Sequence, residues 1–322
     1  MKRGYAGIWV LLIFMLAIYP AGTASAKENN QLKTAANAEP TGSGPLVEEG
    51  PLRLAGLLEQ LLNPESKERK ILDGATSILS STGEIDFKSE RTIGESLALE
   101  AFRRYGMPVN DPALQKYVNL VGLAVARNSL RPEIPYVFVV VDSPLQNAFS
   151  CPGGIIFISS ALFKTMESEA QLAGVLAHEV AHVAHKHALK SIKRARFFQG
   201  VGKITSATME GDKGKQFEDM IGDLQNILFD KGLDQSMEFE ADQSAMETAY
   251  RTGYNPTGLL EVLKELKRIE AGSKKKGSWF STHPPLSERL KKGREQLPLY
   301  PDRANLAQLP KRFKKEKKRV SK

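Results

Sequence analysis

The stretch VLAHEVAHVAHKHALK, residues 175–190, gathers four of the chain's five histidines (His178, His182, His185 and His187) into ten positions. The capping pair Ser168 and Gln171 just ahead of it predicts a helix from there to about Arg196. On a helix, residues i and i+4 lie about 40° apart around the axis, so the imidazoles of His178 and His182 can reach one ion. Glu179 sits about 100° round from His178, next to that ion and able to hold a water on it. Zinc takes neutral imidazole and carboxylate donors, and a catalytic site keeps one position open for water. The metal acidifies that water while Glu179 takes its proton. The competing account is a set of ordinary surface histidines on an Ala-rich helix.

A third protein ligand is then owed. The segment SMEFEAD, 236–242, offers Glu238 and Glu240, which lie two apart on a helix and face different ways. Asp242 follows Glu238 by four and shares its face, where it can orient a ligand or donate a proton. Glu238 is therefore assigned as the third ligand, and Glu240 is expected to face solvent.

Around this site the chain reads as an α+β domain, mostly helical with a small sheet. Helical patterning runs from Leu52 to about Asn128, including DPALQKYVNLVGLAVARNS, where Asp111 and Pro112 supply a cap and a first-turn proline. YVFVVVD (136–142) and GGIIFIS (153–159) are β-branched or aromatic runs and predict strands. The second, opening on Gly153 and Gly154 and continuing through Ile155 and Ile156, is expected to be an edge strand lining the cleft. An extended peptide would pair with it through backbone bonds; an interior strand paired on both sides is the alternative. Segment 197–235 is either a mobile cover over the cleft or a plain helical hairpin.

The termini bear on where the protein works. Lys2 and Arg3, the apolar run Ile8–Tyr19 and the small-residue site Ala24-Ser25-Ala26 form the tripartite pattern of an export signal over 1–26. Residues 27–50 are polar and rich in Gly, Pro and Ala, and read as a linker to a domain spanning 51–296. The net charge of +8 is concentrated at the ends, because 311–322 carries eight basic side chains against one acidic. The body between is close to neutral, which argues against a nucleic-acid face. The basic tail, 297–322, is expected to be a solvated end, with contact to a membrane surface or an acidic partner as the functional alternative. Cys151 is the only cysteine, so no intramolecular disulfide can form; a small buried apolar role is expected for it over a zinc-binding thiolate.

HEVAHVAHKH followed by EFEAD resembles the gluzincin metalloendopeptidases of the CaaX-prenyl-protease superfamily, in particular the exported BepA-like branch with the mitochondrial Oma proteases as cousins. QNAFSCPGGIIFISSALF (146–163), GYNPTGLLEVLKEL (253–266) and STHPPLSERL (281–290) match further family segments in order, so the likeness covers about 90–292. The resemblance implies one zinc per chain held by His178, His182 and Glu238, with Glu179 as general base and Asp242 as proton donor. It places Asn147 with Gly153, Gly154, Ile155 and Ile156 in the substrate strand. His283, on a proline-flanked loop, would by resemblance fill the open zinc position or steady an oxyanion with help from Arg289, or else it is a plain turn residue. His187 is expected to be a structural hydrogen-bonding group and His185 a surface residue. Polypeptides are the implied substrates, in the periplasm of a Gram-negative-type cell. A binding-only assembly factor using the same cleft is the alternative.

Overall fold

A computed structural model describes residues 85–201, 213–270, 283 and 285–320, together with positions 56 and 59. The export signal, the linker, most of the segment 52–62, residues 202–212, and Ser281, Thr282 and Pro284 lie outside the described residues.

Helix α1 (Phe87–Tyr105) starts where the Asp86 carboxylate accepts from the Ser89 amide, and Gly106, at φ 104°, ends it. Helix α2 (Pro112–Ala126) starts on Asp111 and Pro112 as the sequence predicts, with Asp111 accepting from the Leu114 amide at 3.0 Å. Between α2 and the next helices lies one sheet of three short strands, β1 (Val137–Val141), β2 (Ala148–Cys151) and β3 (Ile155–Ser159).

The strand order is β1-β3-β2, with β1 parallel and β2 antiparallel to β3. This corrects the edge-strand expectation: β3, the GGIIFIS segment, is central and paired on both sides. Gly153 and Gly154, at φ 75° and 92°, make the turn between β2 and β3 rather than leaving space for a visiting backbone. Ile155 pairs with Val137 and Cys151, Ile156 with Phe138 and Ser150, and both isoleucines are fully buried. Apolar side chains had to fill both faces of this strand, so its sequence shows no alternation and does not say which strand is outermost.

The outer edge of β1 is closed by side chains. Gln115 on α2 donates to the Val140 carbonyl at 2.8 Å and accepts from the Val140 amide at 2.9 Å. One turn later Asn119 does the same to Phe138, at 2.6 and 3.0 Å. Two amides at i and i+4 thus stand in for a neighbouring strand, which satisfies an edge that would otherwise invite pairing. Among the described residues, β2 is the remaining outer strand.

Helix α3 (Ser160–Thr165) follows β3, and α4 (Glu169–Ala184) then runs through the centre of the domain, capped by the Ser168 hydroxyl on the Gln171 amide. The apolar core lies on both sides of the sheet. Phe138, Val140, Ile156 and Ile158 face α2 and α4, whereas Val139, Phe149, Cys151 and Phe157 face α1 and the segment after α4. That segment comprises α5 (His187–Val201), α6 (Lys213–Gln225) and a π-helical turn, Asn226–Lys231.

Helices α7 (Gln235–Thr252) and α8 (Thr257–Glu270) pack on α4. Gly258 allows α8 to approach closely, since a Cβ there would sit 2.3 Å from the Ala170 carbonyl oxygen of α4. After α9 (Leu286–Gln296), the described part of the basic C-terminal segment is folded onto the domain although most of its lysines are exposed, which corrects the expectation of a disordered end. Its helix α10 (Pro310–Lys317) seats a fully buried Phe313 against Phe163, ring centroids 4.8 Å apart. Arg312 pairs with the buried Glu169, and Lys317 donates to the Met166 carbonyl at 2.8 Å. Burial of an aromatic side chain on this scale contributes about 1.5–3 kcal/mol, enough to hold a short helix that its charges alone would leave in water. No helix of the described residues is long and apolar enough to cross a membrane.

Candidate metal centre

α4 carries His178, Glu179 and His182 at its C-terminal half, and α7 packs alongside with Glu238 and Asp242 one turn apart. The Nε2 atoms of His178 and His182 lie 2.9 Å apart, and each is 3.5 Å from an oxygen of Glu238. His178, Glu179 and Glu238 are fully buried and His182 nearly so. Neither Glu238 oxygen makes a well-formed hydrogen bond. Two imidazole nitrogens and an unsatisfied carboxylate converging out of water are costly unless a cation compensates them. The donor set, two imidazoles and a carboxylate, suits zinc, and a fourth donor, His283, lies within 4.8 Å of the others. The residues present therefore fit the ion that the sequence implies.

The hydrogen bonds behind the ligands select which nitrogen of each ring faces inward. Asp242 accepts from His178 Nδ1 at 3.0 Å. His182 Nδ1 is 2.8 Å from His187 Nδ1, and His187 Nε2 is 3.0 Å from Glu240. Glu240, held below the usual carboxylate range by the His187 hydrogen bond, is ionised and can only accept. His187 Nε2 therefore carries the proton, its Nδ1 accepts from His182 Nδ1–H, and the lone pair of His182 Nε2 points to the centre. His187 is the structural hydrogen-bonding group expected. Glu240 departs from the expectation of a purely solvent-facing residue: it is about half exposed, yet it orients a ligand through His187. His185 is only partly exposed and is hydrogen-bonded to Ser244 at 2.7 Å.

In the ion-free protein burial and Arg289 disfavour a charge on His178, but its bonds to Asp242 and Glu238 prevail and its pKa rises to about 9. Burial and the positive neighbours hold His182 well below the usual imidazole value. Burial also lifts Glu179 to about 7, in the range of a working general base.

Asp242 and Arg289 differ from what the resemblance implied. Arg289 is fully buried and forks onto Asp242 at 2.7 and 2.6 Å, pairs with Glu238 at 3.0 Å, and donates to the His283 carbonyl at 2.9 Å. Despite burial, this guanidinium and His178 hold the Asp242 carboxyl down at about 2. Its contact with His178 Nδ1 fits the orienting role, one of the two that its spacing allowed. Arg289 does not line the cleft; it positions Asp242, Glu238 and the His283 loop.

The cleft is walled by Phe149, Ser150 and Cys151 of β2, by Glu179, His182 and His283, and by Leu228, Gly232 and Leu233 after α6. The described part of 197–235 is thus helical and supplies one wall. β2 takes the place assigned to β3. Asn147, Ile155 and Ile156, read from the sequence as substrate-binding, are buried framework: the Asn147 amide donates to Ser159 Oγ at 3.0 Å. Gly153 donates its amide to Glu90 at 3.1 Å inside the β2–β3 turn. Cys151 is fully buried and its thiol is pushed up by desolvation, as a small apolar-like core residue. The edge role of β2 was hidden because nothing in QNAFSC marks it as outermost, and Gln115 and Asn119 read as ordinary helix residues.

A family model for peptidase family M48 matches residues 112–296. The chain is 28% identical over 196 residues to the Escherichia coli β-barrel assembly-enhancing protease, covering 58% of this chain and 40% of that protein. It is 26% identical over 221 residues to the Schizosaccharomyces pombe mitochondrial metalloendopeptidase OMA1, covering 66% and 62%. The bovine mitochondrial metalloendopeptidase OMA1 is 28% identical over 164 residues, covering 49% and 31%. The chain thus spans about two-fifths of the length of the bacterial relative. With the paired histidines of α4 and the glutamate of α7 converging as that likeness requires, the chain belongs to peptidase family M48.

Proposed function

We propose that the protein is a zinc-dependent endopeptidase acting on exposed, extended segments of exported polypeptides. The observation that carries this is the convergence of His178, His182 and Glu238, with Glu179 beside them in a cleft bordered by an outer strand. Zinc, when bound, would polarise the scissile carbonyl and acidify a water. Glu179 takes that water's proton and returns it to the leaving amine, a task its elevated pKa suits. Asp242 and Glu240, the latter through His187, hold the two imidazoles in the metal-binding tautomer. An extended chain paired with β2 would pass over the centre, and recognition through backbone bonds favours unfolded or unassembled proteins over one sharp sequence.

His283 completes the donor set at rest, so substrate displaces it; His283→Ala should then raise proteolysis with zinc retained. The pattern over 1–26 supports export to the periplasm, and the name of the E. coli relative, a β-barrel assembly-enhancing protease, supports proteins of β-barrel assembly as the substrate class. The exposed Lys311, Lys314, Lys315 and Lys318 of the docked C-terminal segment offer a contact for an acidic surface, testable by co-sedimentation with anionic vesicles. A binding-only cleft has no use for Glu179, and Glu179→Gln is the deciding experiment. Zinc content should be unchanged, and casein cleavage should fall about 10²–10⁴-fold. Retained cleavage in that variant would overturn Glu179 as the base, and absence of cleavage by the wild type would overturn the enzyme reading.

A further inference from the structure

Beyond the catalytic centre, a second group of metal donors stands at the end of α4. Lys186 adopts φ 56°, a left-handed conformation unfavourable for a non-glycine residue. It breaks the helix between α4 and α5 and so brings His185 and His187 to the same side, where in a continuous helix they would point nearly opposite ways. Their rings stack at 5.3 Å with 10° between planes. Glu240 divides its carboxylate between them, Oε1 3.3 Å from His185 Nδ1 and Oε2 3.0 Å from His187 Nε2. The three donor atoms lie within 4.8 Å of one another. Such separations are close to the edges of a small coordination polyhedron with bonds of about 2.0–2.2 Å. Unlike the first centre, this one is open, because the Glu240 side chain is 47% exposed.

We infer that His185, His187 and Glu240 form a second site for a borderline divalent cation such as zinc, and that filling it loosens the ion held at His182. The coupling follows from His187, which has two nitrogens and both are used. With its Nε2 proton on Glu240, His187 Nδ1 accepts from His182 and leaves His182 Nε2 bare for the catalytic ion. A cation on His187 Nε2 displaces that proton, and the neutral ring then carries its hydrogen on Nδ1. Across 2.8 Å this hydrogen faces His182 Nδ1, which must now accept and move its own hydrogen to Nε2. The two sites therefore draw on one pair of tautomers in opposite senses. An excess of the activating metal would slow the enzyme by a route separate from the cleft.

The stoichiometric part stands alone, whereas the coupling rests on His182 being a ligand of the first ion. His185 separates the two, because it touches Glu240 and Ser244 but not His182. The full chain and its His185→Gln variant, matched in circular dichroism, are dialysed against graded free zinc and their metal counted. Wild type should climb from one to two equivalents while His185→Gln stops at one. A wild type that stops at one equivalent which His185→Gln keeps, or a second equivalent that His185→Gln keeps, overturns the site. Exchange of isotopically labelled zinc from the first site should accelerate about 10–100-fold as the second fills, in wild type alone. Unaltered exchange overturns the coupling. If the catalytic-centre reading were itself at fault, wild type would show a single equivalent that His185→Gln loses, an outcome distinct from either failure.

Discussion

At its two ends α4 borders a buried carboxylate paired with an arginine, and the two arrangements are put to opposite use. At the N-terminal end Glu169 accepts from Tyr117 at 2.9 Å and Tyr254 at 2.6 Å and pairs with Arg312. Both carboxylate oxygens are answered, the helix dipole favours the charge, and the result is a clamp that joins α2, the turn after α7 and the C-terminal helix. Towards the C-terminal end Glu238 meets Arg289 and two histidines at ion-pair distances, yet makes no well-formed hydrogen bond. A saturated carboxylate is structure, and an unsaturated one facing two imidazole nitrogens is a candidate site. The difference lies in the partners and not in burial, since both glutamates are fully buried.

The sharpest test of this contrast removes each arginine. In chelator-treated protein, Arg289→Met leaves Asp242 and Glu238 without their common counter-charge and should destabilise by about 3–5 kcal/mol in urea unfolding. Next in size is pH. His178 in the ion-free protein has its pKa raised to about 9, so below that value a proton must leave before the ion can bind. Apparent zinc affinity should therefore rise with pH, about tenfold per unit between pH 6 and 8, as read by competition with a chelator. A flat profile would mean that no proton stands in for the ion.

Asp242→Asn should weaken zinc binding about 10–100-fold while cleavage at saturating zinc survives. Loss of cleavage with zinc bound would restore the proton-donor role. Smallest is Arg312→Met, about 1–3 kcal/mol, because Arg312 is half exposed and two tyrosine hydroxyls remain on Glu169. A larger loss there than at Arg289 would break the comparison.

Some of this was legible along the chain because it is a matter of local spacing. Four residues of helix bring His178 over His182 and Glu238 over Asp242 whatever surrounds them, and a capping serine or aspartate acts on the amides next to it. So the sequence by itself brought out the candidate donors His178, His182 and Glu238 with Glu179 beside them, the helix starts and the α+β class. Tertiary structure decided what depends on partners distant in the chain. Strand order put β3 inside and β2 outside, since a run buried on both faces looks the same wherever it pairs. It gave Asp242 to Arg289, whose guanidinium forks onto it, and Glu240 to His187, which ties an exposed carboxylate to the candidate centre. It also seated Phe313, whose single aromatic ring among lysines outweighs the solvation its neighbours seek. Periodicity encodes which way a side chain points, but only the packed fold supplies what it meets there.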